Sequence, residues 1–218
     1  MKLKHRNSQK RIYIKDACYF ITVKTYNNFP YFKEKIFCDL FLENLRLCKS
    51  IYDFMLFGFV LIHDHFHLII LPKDELDLSG IMFSIKKQFS HNCNILIGYN
   101  LLYLSKHSST VEGAQSIARL RGKWFGADNS YNKNLINNIY NFDKYILSSK
   151  SRFQIQYPNH KFPKFKWQKS YYDHYIRNKK DFNRHLKYIE NNPTKHNLPD
   201  DWPYVFTNPQ YYYLTDTP

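Results

Sequence analysis

His63-Asp64-His65-Phe66-His67, set inside the apolar run Phe54–Leu71, is the stretch whose reading decides the fold. Strand formers surround it, with Phe57, Phe59, Val60 and Ile62 before and Leu68, Ile69 and Ile70 after. Alternate side chains of a strand point to opposite faces. His65 and His67 therefore project from one face, and Phe66 and Leu68 from the other. Two imidazoles converging from a rigid strand make half of a divalent-metal site. Alone, His-x-His is better explained by polar residues on a solvent-facing strand. His63 falls on the same side, but as a turn residue it reads as solvated or as a support for the ligands.

Working outward, Phe54–Ile62 and His65–Leu71 read as two strands joined by a tight turn at His63-Asp64. Upstream, a first strand is predicted around Tyr19–Val23, and Asn27-Asn28 and Pro30 mark the turn after it. Glu34–Ser50 carries Ile36, Leu40, Phe41, Leu45 and Leu47 near helical period. Downstream, Ser79–Asn94 is a helix with a stripe of Ile81, Met82, Ile85 and Phe89. A short strand is expected at Ser170–Arg177. A helix Lys179–Asn192 follows, with Asn178 as N-cap and Asp181 at N3, and Pro193 stopping it. The order β-α-β-β-α…β-α is the ferredoxin-like pattern, an α+β antiparallel sheet with packed helices.

Between Cys93 and Phe165 that pattern lapses. Ser109-Thr110-Val111-Glu112 resembles a capping box opening a helix to about Phe125, Asn132–Leu147 has helical spacing, and His160–Lys166 reads as loop. Residues 1–218 thus read as one domain with an inserted, mainly helical segment at about 93–165, a lid or subdomain.

The 218 residues include 32 Lys+Arg against 18 Asp+Glu, a formal charge of +14, which favours a polyanionic partner. Aromatic residues, 18% of the chain, supply stacking surfaces for unpaired bases. Trp167 reads either as one of these or as a core plug. Cys18, Cys38, Cys48 and Cys93 show no C-x-x-C spacing, so a zinc ribbon or disulfide framework is not expected and a reducing cytosol fits. Met1–Arg11 is basic without an apolar h-region and reads as a basic arm, not a signal. The apolar run near Phe54–Ile62 is far shorter than the ~20 residues of a membrane span. A cytoplasmic, nucleoid-associated protein without membrane contact is the expectation.

The other half of the site is read from Lys179–Asn192. Phe182, Leu186 and Ile189 form its core face, while His185, Tyr188 and Asn192 lie off that stripe at i−3, i and i+4. If that face meets the histidine strand, Tyr188 can present its hydroxyl beside a metal held by His65 and His67. Tyrosine is a weak nucleophile at its free pKa of about 10 and needs nearby positive charge. Asn192 reads either as an oxygen ligand or as a helix cap before Pro193, and Tyr188 taken alone reads better as a core-edge aromatic. Lys86, Lys87, Arg119, Arg121, Lys123 and Arg177 are grouped as a candidate DNA path.

Trp167-Gln168-Lys169-Ser170-Tyr171-Tyr172-Asp173-His174-Tyr175-Ile176-Arg177, then Tyr188-Ile189-Glu190-Asn191-Asn192-Pro193-Thr194-Lys195-His196 and Asp201-Trp202-Pro203-Tyr204, closely resemble the REP-associated tyrosine transposases. These belong to the single-tyrosine HUH transposases, U being a hydrophobic residue, and His65-Phe66-His67 matches that motif. Ile85-Lys86-Lys87-Gln88-Phe89-Ser90-His91 is similar to the family's following helix. The resemblance covers roughly Arg11–Asn94 and Trp167–Tyr204. It implies the HUH transposase fold and a Mg2+- or Mn2+-dependent nuclease and strand transferase. The implied substrate is single-stranded or hairpin DNA from palindromic repeats, cleaved through a 5′-phosphotyrosine by a monomer or homodimer. Carried over by position, His65 and His67 become metal ligands, Tyr188 the nucleophile and Asn192 the third polar ligand. The chain departs from the family at His63, where proline is common, and in the length of the Cys93–Phe165 insertion.

Two rival readings stand beside this one. A domesticated protein that binds DNA repeats without cutting them would use the same charge and aromatic residues. A ferredoxin-like RNA-binding module would prefer RNA and ignore metal, leaving the paired histidines and tyrosine unexplained.

Overall fold

The computed structural model describes residue 14 and residues 17–73, 78–99 and 133–208. The basic arm at Met1–Arg11 and the helix expected from Ser109 to Phe125 lie outside the described residues. Within them the elements run β1 (Tyr19–Lys24), α1 (Lys35–Tyr52), β2 (Met55–Ile62), β3 (His65–Leu71), α2 (Leu78–Leu96), α3 (Lys133–Gln156), β4 (Tyr172–Tyr175), α4 (Lys179–Glu190), α5 (Asn192–Lys195) and β5 (Val205–Thr207). The strands form a five-stranded antiparallel sheet in the order β4-β1-β3-β2-β5. This is the α+β architecture that the order of periodicities predicts, with β5 added at one edge.

Alternation along the strands sorts their side chains onto two apolar layers. Tyr19, Ile21, Val23, Leu61, Phe66, Leu68 and Ile70 face α1, α2 and α3. Phe20, Phe57, Val60, Ile62 and Ile69 face Phe182, Leu186 and Ile189 of α4. Burying such side chains stabilises by about 1.5–3 kcal/mol each, and with most of both faces covered the register of the sheet is strongly specified. The described part of the inserted segment belongs to the larger layer, because Ile139, Phe142, Ile146 and Phe153 of α3 are buried there. Trp167 takes the core option. Its ring packs against Phe66, Phe89 and Phe165, and its Nε1 donates to the Lys86 carbonyl at 3.0 Å.

The β2–β3 hairpin is closed by the two-residue turn His63-Asp64, with Ile62 opposite His65. The neighbouring loop clamps that turn. Phe32 N donates to the His63 carbonyl at 2.9 Å, while Thr25 N and Oγ1 donate to the Asp64 carbonyl at 2.8 and 3.0 Å. On β2, Gly58 lets β5 and α4 come close: a Cβ there would lie 3.0 Å from the Phe206 carbonyl oxygen and 3.3 Å from Ile189 Cδ1.

The third helical stretch differs from its sequence reading. α4 ends at Glu190, not Asn192, and Pro193 stands in the first turn of the separate short helix α5. Proline is tolerated there because first-turn N–H groups have no partner within the helix. Asn178 does cap α4, its side chain accepting from Asp181 N at 2.9 Å.

Candidate active site

Strand parity places His65 and His67 on the α4 face of β3, both almost fully buried. Their ring centroids are 5.0 Å apart. Each Nδ1 is held by a neighbour: that of His65 by Asp64 Oδ1 at 2.6 Å, that of His67 by Thr22 Oγ1 at 2.8 Å. A partner on Nδ1 orients the ring and leaves Nε2 to bind a metal. His67 Nε2 is buried and has no hydrogen-bond partner. Burial, and then the charges of His65, His196, Lys24 and Lys195, push the His67 pKa down to about 3. Burial also lowers that of His65, partly offset by Asp64. Both rings are therefore neutral near pH 7, the state a metal ligand needs.

α4 brings Tyr188 to this pair. Its ring stands edge-on to His67 at 5.1 Å and to Phe20 at 5.6 Å, half-buried, with Lys195 Nζ 4.8 Å from its centroid. Phe20 stacks on His67 at 5.2 Å and so props both residues. One helical turn beyond Tyr188, Asn192 is fully buried, and neither its Oδ1 nor its Nδ2 has a hydrogen-bond partner. With both atoms unpartnered the side chain caps no helix end, so of the two sequence readings the cap falls away. A buried amide with both atoms unpaired costs about 1–3 kcal/mol per group, and a bound cation would relieve the oxygen. Two imidazole nitrogens and an amide oxygen are a donor set that divalent cations accept.

α5 adds residues that the sequence reading assigned no role. His196, directly after it, lies 5.2 Å from the His65 ring, and Lys195 lies over Tyr188. Thr22 and Asp64, which orient the histidines, were also missed. Asp64 neighbours His65 in the chain and could have been suspected; Thr22 is 45 residues from His67, and only the strand register joins them. His63 stays in the turn, against Trp202 at 6.2 Å.

A second cluster sits at the start of α4, where ligand atoms of His174, Asp181 and His185 lie within 4.8 Å of one another. Its carboxylate is already engaged. Asp181 accepts from His174 Nε2 at 2.8 Å, from Arg177 N at 3.2 Å and from the Arg184 guanidinium. Burial would raise the Asp181 pKa, but these donors outweigh it and bring it to about 2. His185 Nδ1 donates to the Asp181 carbonyl, and the His185 ring stacks on His174 and touches Phe20. The cluster reads as an ion-pair knot that fixes α4 against β4 and β1.

The candidate DNA-path residues are dispersed. Arg177 is exposed and lines an open groove with Lys179, Lys180, Arg184 and Lys187. Lys86 and Lys87 belong to α2, on the opposite side of the sheet from the histidines. Lys86 Nζ donates to the carbonyls of Gln168 and Ser170, and Lys87 Nζ lies over Phe83. Arg119, Arg121 and Lys123 lie outside the described residues. No described helix is long and apolar enough to cross a membrane.

The fold is similar to a solved structure of a REP-associated tyrosine transposase bound to a REP hairpin. The two share 20% identity over 92% of this chain and 82% of that one, with a TM-score of 0.55. No family model and no curated sequence matches the chain.

Proposed function

We propose that this protein is a metal-dependent, transposase-like endonuclease and strand transferase acting on single-stranded or hairpin DNA through a tyrosine nucleophile. The observation that carries the reading is Tyr188 placed 5.1 Å from His67, whose buried Nε2 lacks a partner. His65, His67 and Asn192 would hold Mg2+ or Mn2+. Bound there, the cation neutralises charge developing on the scissile phosphate. Thr22 and Asp64 keep the imidazoles aimed, and Phe20 fixes the spacing of Tyr188 to His67. The Tyr188 hydroxyl oxygen attacks the phosphorus and loses its proton. The bond from phosphorus to the 3′-oxygen breaks, and that oxygen leaves as a 3′-hydroxyl. The 5′-phosphate stays on Tyr188, so the ester conserves the energy of the broken bond and a 3′-hydroxyl can reverse the step onto the same or another strand. The net positive charge, and the groove lined by Arg177, Lys179, Lys180, Arg184 and Lys187, suit a phosphate backbone. The similar solved transposase binds a REP hairpin, and we assign a hairpin-forming repeat as the substrate class here.

The test incubates wild type and Tyr188→Phe with labelled hairpin DNA from the gene's own neighbourhood, with Mn2+ or with chelator, and resolves the products on denaturing gels. A covalent protein–DNA adduct in wild type with Mn2+, absent from the variant and with chelator, is expected. An adduct or normal cleavage by Tyr188→Phe would overturn the assignment of the nucleophile. Tight binding with no adduct would instead identify a repeat-binding protein that does not cut.

A further inference from the structure

The row of side chains that builds the histidine site continues across the sheet to an aromatic residue with no role so far. On the α4 face, Val60 of β2 pairs with His67 of β3, His67 with Thr22 of β1, and Thr22 with Tyr172 of β4. Directly paired residues of antiparallel strands share a face, and the Thr22–His67 hydrogen bond confirms it for this row. Tyr172 therefore lies two strands from His67, about 10 Å at the usual strand spacing. One row along, His174 opposite Phe20 is tied down by Asp181, whereas Tyr172 is 65% exposed. Tyr19, Tyr31 and Tyr52 by contrast are at most 5% exposed. Lys24, opposite His65 on the same face, is exposed as well, so the open part of the face pairs a bare ring with a cation.

We infer that Tyr172 is a nucleobase-stacking platform for the single strand, taking the base of a nucleotide adjacent to the phosphate held at His65 and His67. The inference rests on the functional reading above. Charge complementarity selects the occupant. Lys24, exposed on the same face, and Lys195 both put positive charge at His67, on a chain of net charge +14, so an anionic partner with flat apolar faces fits best. Stacking on a tyrosine is tolerant of base identity because every base has a π-face.

The experiment uses the Tyr188→Phe protein, expected to bind without cutting, and fluorescence anisotropy with a hairpin carrying a single-stranded flank. Tyr172→Thr keeps a strand-forming side chain without the ring, and Tyr172→Phe keeps the ring. Tyr172→Thr is expected to weaken binding by about 5- to 150-fold, the range for loss of one stacked base, while Tyr172→Phe retains the affinity. One abasic position in the flank should erase the difference between ring and threonine. Equal binding by Tyr172→Thr, or no abasic position that erases the difference, overturns this inference and leaves the functional reading standing. Failure of the parent protein to bind any single strand overturns both.

Discussion

Replacing Thr22 with valine removes one hydroxyl and almost nothing else, and it should cripple metal binding without unfolding the protein. Thr22 Oγ1 sits 2.8 Å from His67 Nδ1. When Nε2 of that ring binds a cation, Nδ1 carries the proton and the threonine oxygen accepts it. Valine keeps the volume but leaves the Nδ1–H unpaired in a site where His67 is 4% exposed. A buried donor left unpaired in this way costs about 1–3 kcal/mol of stability. Partners of this kind typically govern metal affinity by about 10–100-fold, or about 1.4–2.8 kcal/mol of binding free energy. The assay is a calorimetric titration with Mn2+ alone, on wild type, Thr22→Val and His67→Ala, with urea denaturation as the control for folding. Expected are near-wild-type folding and a 10–100-fold weaker Mn2+ affinity for Thr22→Val, with no measurable binding for His67→Ala. An unchanged affinity in Thr22→Val beside a lost one in His67→Ala would refute the reasoning that the hydroxyl sets ring orientation.

Two further outcomes follow from buried groups of the same site. His67 has a folded pKa near 3 against about 6.5 unfolded, so as pH falls below 6.5 the unfolded chain binds the proton first. Its contribution is complete above about pH 6.5 and is lost as pH drops toward 3, at up to about 1.4 kcal/mol per pH unit; in urea titrations with chelator His67→Gln should show a shallower acid limb, and equal limbs would contradict the assignment. Asn192→Leu removes an amide with two unpaired buried atoms, so thermal denaturation should show an unchanged or higher Tm while Mn2+ affinity falls at least about 10-fold. A lowered Tm with unchanged affinity would make Asn192 structural.

Much of the fold was legible because it depends on short-range periodicity. The alternation around His65 and His67 set which side chains turn toward the histidine face, and the apolar spacing of Phe182, Leu186 and Ile189 set the buried side of α4. Tyr188 and Asn192 were readable as a pair because four residues span about one helical turn. β5 escaped because Val205–Thr207 is three residues long, too short to establish a period. The end of α4 was misjudged because proline reads equally as the stop of one helix and the first turn of the next.

The amino-acid sequence by itself determined that two imidazoles share a strand face, that a tyrosine and an amide stand four residues apart at the end of one helix and the start of the next turn, and that the strands and helices follow a ferredoxin-like order. Each of those facts is decided within a few residues of chain by backbone geometry. Only the tertiary structure decided that Thr22 reaches His67, that His196 comes within 5.2 Å of His65, and that Tyr172 extends the same row to the open edge. Those neighbours are separated by 45 to 150 residues along the chain. Their meeting depends on strand pairing and on which faces of the sheet the helices bury, and that is settled by the packing of the whole domain.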